Sequence, residues 1–491
     1  IAAGRLVAPF YGTSTLVWSL LIGAVLASLS AGQALGGRLA RNENRAASSS
    51  TLGKLLIACS VLLAALPMIA RPLMSGTLVW FRSGSMGTLL ACFAGISVLL
   101  AFPMIALGAC GPLLLDLSVG KDDRTGVVAG RIYSLGTAGS LAGTYLSGLV
   151  LIPWIGTRST LWVGAAVLAL LGAFVRFRAR AIVAALPCAL LVTGACLYPH
   201  GFAKSRKGAT FESESRMQYI QVTESGSVRS LYLNDGYAVQ SVFPLDGSLY
   251  LRGVWAYYAL SSAWTTKGRP DRVLLLGLGG GTSARTFRRL LPNAQITGVE
   301  IDPEVVEVGR QLFDLPSDMR VVVGDARAAL SSPPLADETA TYDVILVDAF
   351  QFPYVPFQLC TVEFFRELER RLSPGGAIVI NVGRDQDARD VVSAVARTMR
   401  EVLPVVRGVD VPSHPNTILV ATRHDAAADG GLEPSGYSPN VVATLSRLPK
   451  PQVLSVPSTT PVLTDDHAPV EAITDSVIVR RLFSVVRHGW T

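Results

Sequence analysis

Three glycines, Gly277, Gly279 and Gly281, interrupt the apolar run RVLLLGLGGGTSARTF at residues 272–287, and acids end the three apolar runs that follow: Glu300 in TGVE, Asp325 in GDA and Asp348 in LVDAF. Where a strand turns into a helix, missing Cβ atoms permit a tight turn and let the backbone approach a ligand. Glu300 stands 23 residues beyond Gly277, where an acid can accept both hydroxyls of a ribose. Asp325 is placed to take an adenine amino group, and Asp348 faces the same crevice. Any one of these acids could be a solvated loop residue; the three together point to an adenosine site.

The elements that must hold these residues alternate strand and helix. Buried-strand patterns occur at 272–278, 295–301, 320–325, 342–349 and 376–382, with helical segments between the first four. A helix near 386–402 precedes VVRGVDV and NTILVAT, two strands joined by a Pro-containing turn. This order predicts a doubly wound α/β sheet with its ligand at the carboxyl ends of the strands. Upstream, YIQVTESGSVRSLYLNDGYAVQ reads as two or three strands with turns at Ser225-Gly226 and Asn234-Asp235-Gly236, followed by a helix over about 248–264. The glycine turn lacks the Lys and Ser/Thr of a phosphate-binding loop, and its GxGxG spacing differs from the GxGxxG of dinucleotide sites. S-adenosylmethionine or a relative suits it, because a positive sulfonium needs no phosphate clamp.

The first 200 residues are of another kind. They hold 14 Lys and Arg against four acids, a net of +10, whereas the remainder nets −3. The basic residues cluster between apolar runs at about 16–37, 55–74, 86–107, 132–155, 160–175 and 181–198, so six membrane spans are expected, the chain opening within an earlier, truncated helix. The basic excess therefore belongs to a membrane domain and gives no reason to expect nucleic acid. In GTAGSLAGTYLSG, the small residues Gly136, Gly139, Ser140, Gly143 and Ser147 recur at helical spacing and predict close helix packing rather than a transport path. Asp116 is expected at an interface. Six cysteines scatter singly, without CxxC spacing, and five histidines are equally dispersed, so no metal site is expected. The expected domains are 1–199 (polytopic helical membrane domain), 210–265 (small β-rich subdomain and connecting helix) and 266–491 (the ligand-binding α/β sheet).

In order and spacing, GLGGGTSA, VEIDPEVVEVGRQLF, VVVGDARAAL, YDVILVDAF, VPFQLCTVEFFRELERRLSPGGAIVIN and LTDDHAPVE resemble the soluble signatures of the spermidine/spermine synthase family. The N-terminal runs resemble the helices of its membrane-fused bacterial branch. The resemblance implies a Rossmann-like, class I methyltransferase-like fold and a group transferase using S-adenosylmethionine or its decarboxylated form. It implies that Gly277, Gly279, Gly280 and Gly281 form the donor loop, with Glu300 at the ribose, Asp302 among the other cofactor-binding residues, Asp325 and Ala326 at the adenine, and Gln240 near the sulfur. It also implies a bacterial inner-membrane location and a possible homodimer. Donor supply favours the cytoplasm for the soluble domain, although the alternation of basic loops, if 181–198 spans fully, places that domain outside.

The departures bear on chemistry. Soluble relatives carry an Asp where Gly280 stands; it holds the donor's amino group and would repel a carboxylate, so its loss makes intact S-adenosylmethionine acceptable. Gln351 replaces the second acid of their D-x-x-D-P motif, which orients and deprotonates the attacking amine, while Asp348 keeps the first. A Tyr-His-Glu element becomes Tyr250-Leu251-Arg252, where Arg disfavours a polycation. Replacement carboxylates are sought in Asp465 and Asp466, either of which could equally be a helix cap; His467 beside them is the one histidine to test as a base. Tyr250 and Tyr354 are candidates for an acceptor pocket. The reading is a membrane-embedded transferase moving a methyl or aminopropyl group to a small amine or amphiphilic acceptor, ordinary spermidine synthesis being disfavoured. The alternatives are an adenosyl-compound-binding or transport module with a degenerate synthase domain, and a polyamine exporter coupled to such a domain.

Overall fold

The computed structural model describes residues 1–11, 15–40, 45–80, 84–119, 125–177, 206–215, 217–234, 238–261, 265, 269–332, 335, 341–349, 355–384, 389–424, 439–470 and 473. Contacts divide the chain into two compact units, Ile1–Ser205 and Arg206–Thr491.

The first unit is helical: α1 (Ala2–Tyr11), α2 (Thr15–Leu39), α3 (Arg45–Trp80), α4 (Gly84–Ser118), α5 (Thr125–Tyr145), a π-helical turn over Leu146–Leu151, and α6 (Ile152–Phe177). Four stretches are long and apolar enough to cross a membrane: Val17–Leu39, Ala46–Ala70, Cys92–Ser118 and Trp154–Arg176. The span expected at 132–155 is divided between α5, the π turn and the start of α6, and the chain kinks at Gly156 (φ 77°). The segment 181–198 lies outside the described residues. With no hydrophobic drive between helices in lipid, close backbone approach and interhelical hydrogen bonds must hold them. An added Cβ at Gly32, Gly36 or Gly108 would collide with the carbonyl oxygens of Ile105, Ala109 and Leu29, so α2 and α4 touch backbone to backbone. The Ser60 hydroxyl donates to the Ala165 carbonyl (2.7 Å) and the Trp162 indole to that of Ala64 (3.2 Å), joining α3 to α6. Among the described residues the face expected to pack closely finds no neighbour: an added Cβ at Gly136, Gly139 or Gly143 meets nothing within 4 Å there. Small residues permit close approach but do not supply a partner, and the described residues place none against these three glycines.

The second unit begins with an antiparallel meander, β1 (Ala209–Glu214), β2 (Tyr219–Ser225), β3 (Val228–Leu233) and β4 (Val239–Pro244), and then α7 (Gly253–Leu260). Next come β5 (Arg272–Leu276), α8 (Thr282–Leu290), β6 (Gln295–Glu300), α9 (Pro303–Leu312), β7 (Arg320–Val323), α10 (Ala326–Leu330) and β8 (Tyr342–Val347). These lead to α11 (Val362–Arg370), β9 (Leu372–Gly383), α12 (Asp390–Arg400), β10 (Val405–Asp410), β11 (Asn416–Thr422), α13 (Pro439–Leu445) and β12 (Gln452–Val453). The eight-stranded sheet runs β12-β10-β11-β9-β8-β5-β6-β7, parallel from β9 to β7, with β11 and β10 closing it antiparallel. Helices cover both faces, which is why these strands read as unbroken apolar runs: Val273 and Leu275 enter one core, Leu274 and Leu276 the other. The Rossmann-like, methyltransferase-type architecture is thus present. Strand order reverses between β5 and β8, which opens a crevice at their carboxyl ends.

Candidate active site

The glycine loop leaves β5 and enters α8. Gly277, Gly279 and Gly281 have φ of 95°, 51° and 95°, in the left-handed region where a side chain is strained. A Cβ on Gly277 would strike the carbonyl oxygen of Asp348, so glycine there lets the ends of β5 and β8 touch. Gly280 has another constraint: a Cβ would lie 3.0 Å from the Phe313 ring and 3.1 Å from Ser241 Cβ. Gly280, where the family resemblance leads to the expectation of an acid, is therefore packed closed as well as uncharged.

Glu300, at the end of β6, is buried, and its carboxylate organises the loop. Oε2 accepts the Leu278 and Gly279 amides (3.1 and 2.9 Å), and Oε1 accepts the Asp302 amide (3.2 Å). Burial pushes its pKa up while these N–H groups pull against the rise. A carboxylate has about four lone-pair sites; three are used, so the loop as folded leaves Glu300 room for one ribose hydroxyl rather than the expected two. Asp302 is fully buried: Oδ1 caps α9 through the Glu304 amide (3.0 Å) and Oδ2 receives the Ser215 hydroxyl. Its oxygens serve the fold and tie the meander to α9. Asp325 caps α10, its Oδ1 accepting the Arg327 and Ala328 amides (3.0 and 2.9 Å), which leaves Oδ2 for an adenine amino group beside buried Ala326.

Asp348, just past β8, lines a cavity of about 400 Å³ together with Gln240, Tyr250, Trp255, Val355, Asn381 and His414. The carboxyl is deeply enclosed although the residue keeps some surface toward the cavity, and burial raises its pKa to about 6. Asn381 donates to Oδ1 (3.0 Å), and Asn416 donates in turn to Asn381 Oδ1 (3.0 Å). The Tyr258 hydroxyl lies against the same carboxyl without a hydrogen bond of regular geometry, and its own pKa is held well above the ordinary tyrosine value, first by burial and then by Asp348. A carboxyl poised near neutrality in a mostly apolar cavity can orient a nucleophile and take its proton. Tyr250 packs edge-on against Trp255 (5.5 Å, 75°) in the cavity wall. Gln351 and Tyr354 lie outside the described residues.

Asp465 and Asp466 do not join this cavity's described lining. Asp465 forms a two-pronged ion pair with Arg327 (2.6 and 2.7 Å) and accepts the Thr361 hydroxyl (2.7 Å). Arg327 lowers its pKa, the reverse of what a base working near neutral pH needs. Asp466 is exposed, and so is His467, which closes a tight turn with Thr464. The replacement carboxylates sought there are structural or surface groups: a DD pair reads the same whether its carboxylates meet a substrate or an arginine.

Comparison with known proteins bears on what the cavity does. A probable polyamine aminopropyl transferase of Bifidobacterium longum is 29% identical over 325 residues, 61% of this chain and 70% of that protein. The polyamine aminopropyltransferase of Vibrio vulnificus is 32% identical over 221 residues, 43% of this chain and 72% of the relative. The chain belongs to the polyamine aminopropyltransferase family. It is a transferase. The family described as "Methyltransferase domain" also matches residues 273–376, and an N-terminal histidine N-methyltransferase of Emericella nidulans is 32% identical over 137 residues, 28% of this chain and 24% of that protein. The methyltransferase-domain match, at residues 273–376, includes the glycine loop.

Several residues of this aminopropyltransferase-family site escaped the sequence reading. Ser241 Oγ accepts the Gly280 amide (2.8 Å), while Thr282 Oγ1 accepts from the Val242 amide (2.7 Å) and donates to its carbonyl (2.9 Å); together they clamp β4 onto the glycine loop. Asn381, Asn416 and His414 reach Asp348's cavity from β9 and the β10–β11 turn. The signal available for Asn381 was a polar residue inside the apolar run AIVINV.

Proposed function

We propose that this protein is a membrane-embedded transferase that moves a group from S-adenosylmethionine, or its decarboxylated form, to an amine acceptor in the cavity beside Asp348. The observation that carries this reading is the setting of Asp348. A raised-pKa carboxyl held by Asn381 opens into a cavity next to a loop whose Glu300, Asp325 and positive-φ glycines suit an adenosyl group. The chain's residues would position donor and acceptor in line, exclude water and take one proton at Asp348. The lack of an acid at Gly280 to repel a carboxylate supports acceptance of intact S-adenosylmethionine. The four apolar helices support membrane embedding.

The test is calorimetric titration of the purified full chain in lipid nanodiscs with S-adenosylmethionine, its decarboxylated analogue and methylthioadenosine. Saturable binding of a sulfonium donor is expected. Clear preference for the decarboxylated form would defeat the argument from Gly280, and no binding by any of the three would defeat the reading.

A further inference from the structure

Two side-chain amides stand in line behind Asp348. Strands β8 and β9 run parallel with Val347 opposite Ile380, so the next residues, Asp348 and Asn381, lie side by side. Strands β9 and β11 run antiparallel with Asn381 opposite Ile418, which puts Asn416, two residues along, diagonally across from Asn381 on the same face. The hydrogen bonds run one way: Asn416 Nδ2 donates to Asn381 Oδ1 (3.0 Å), and Asn381 Nδ2 donates to Asp348 Oδ1 (3.0 Å). The Asp348 main chain is fixed separately, its amide donating to the Leu276 carbonyl (2.8 Å), so what the two side-chain amides set is the direction of the carboxyl and the polarity it meets. Among the described residues, the titratable groups facing Asp348 are the Tyr258 hydroxyl from α7, and Tyr250 and His414 in the cavity wall. Asp235, Asp385 and Asp387, close in sequence to the lining residues Ala238 and Gly383, lie outside the described residues.

We propose that Asn416 is a positioning residue for the transfer: by occupying Asn381 Oδ1 it keeps the Asn381 amide hydrogen on Asp348 Oδ1, leaving Oδ2 to receive the acceptor's proton. The inference rests on reading Asp348 as the base of the proposed transferase. In that step the neutral acceptor nitrogen's lone pair forms the new C–N bond, the C–S bond breaks with its electron pair kept by sulfur, and the proton the nitrogen sheds goes to Oδ2. A side-chain amide offers hydrogens at one end and an oxygen at the other. With its hydrogen toward Asp348, Asn381 stabilises the ionised carboxylate and opposes the effect of burial. Turned round, its oxygen would accept from the protonated carboxyl and stabilise that form instead. Asn416 thus acts on the base through Asn381. An ionised aspartate at position 416 can only accept, so it would draw the Asn381 hydrogens to itself and turn the oxygen onto Asp348.

The experiment is an infrared titration of the full chain in lipid nanodiscs from pH 4 to 9, following the protonated-carboxyl band that Asp348→Asn removes. Asn416→Asp is expected to raise the midpoint of that band by at least ~1 pH unit, and in the Asn381→Leu background by less than half as much. The second background separates the relay from the new charge at 416, which acts on Asp348 equally in both. The other titratable groups are the same in every variant, so differences between midpoints report the substitution made. An unmoved midpoint in Asn416→Asp would overturn the inference, as would a rise as large in Asn381→Leu as in the native background. Asn416→Leu, uncharged and unable to donate, keeps the test open if Asn416→Asp does not fold: a rise of about half a pH unit is expected with Asn381 present and none in Asn381→Leu, and an unmoved midpoint in the first would again overturn it. The titration needs neither donor nor acceptor, so a failed relay leaves the transferase reading standing, and that reading is judged by the calorimetric titration above.

Discussion

Replacing Asp348 with Asn should raise stability while it removes activity. Burial lifts the carboxyl from 3.8 to about 6, so between those values the native chain holds a proton that the unfolded chain releases. Stability therefore falls as pH rises through this window, and the deficit is complete above it. At 1.36 kcal/mol per pKa unit the deficit at pH 7.5 is at most about 3 kcal/mol, less whatever water in the cavity screens. Asparagine carries no charge to desolvate and its side-chain oxygen can still accept from Asn381, so Asp348→Asn recovers much of this. With an unfolding entropy of about 2.1 cal/mol/K per residue, 3 kcal/mol spread over the soluble unit corresponds to a Tm rise of roughly 5 °C. Activity should fall ~10²- to 10⁴-fold, the range for losing a general base, with donor affinity nearly unchanged. The assay is thermal unfolding of native and variant full-length protein from pH 4 to 7.5, with product formation and donor titration on the same samples. A variant no more stable than native protein at pH 7.5, or a stability gap that does not close toward pH 4, would refute the reasoning.

Glu300→Ala removes the acceptor for three loop amides, so donor affinity should fall at least ~100-fold by calorimetry; unchanged affinity would remove Glu300 from the site. Gly280→Asp puts a Cβ 3.0 Å from Phe313 and should cost about 1–3 kcal/mol, while titration should show preference moving toward the decarboxylated donor. Asp465→Ala should cost only about 1 kcal/mol, since the side chain is 43% exposed, and leave turnover intact. Because the native pKa of Asp465 is depressed, its contribution is present above the ordinary carboxylate range and fades as pH falls through the lowered value; a collapse of turnover in a folded variant would instead make it catalytic. Gly108→Leu should force α2 and α4 apart and lower thermal stability in detergent, whereas Gly139→Leu, on a face of α5 that meets none of the described residues, should not; equal effects would contradict the helix packing.

What could be read from the chain alone had short-range causes. Strand and helix periods, a glycine where φ must be positive, and an acid at a strand's end are each written within a few residues. Accordingly β5 to β11 fall close to their expected places, and Gly277, Glu300 and Asp325 stand at the ends of their strands as read. The long apolar runs of the first unit likewise announce themselves, although α3 and α4 extend well past the expected ends, α3 because the helix continues through the polar flank RAASSSTLGK and α4 through the still apolar GACGPLLLDLS.

Partnership is what the folded chain decided. Gly136, Gly139 and Gly143 looked like the close-packing face, yet among the described residues Gly32, Gly36 and Gly108 are among the glycines that meet backbone while these three do not, since a small residue permits approach without choosing a neighbour. Asp465 and Asp348 are both aspartates shortly after apolar residues, Leu463 and Val347; one meets Arg327 and is held ionised, the other meets Asn381 in a buried cavity and is pushed toward neutrality. The Ser241–Gly280 and Asn381–Asp348 contacts join residues 39 and 33 positions apart. His414, passed over in favour of His467, enters the cavity only because the β10–β11 turn is brought against α7. Residue type determined which groups could do chemistry. The tertiary structure determined which of them are desolvated and which are paired, and those two conditions set a carboxylate's pKa and what it can bind.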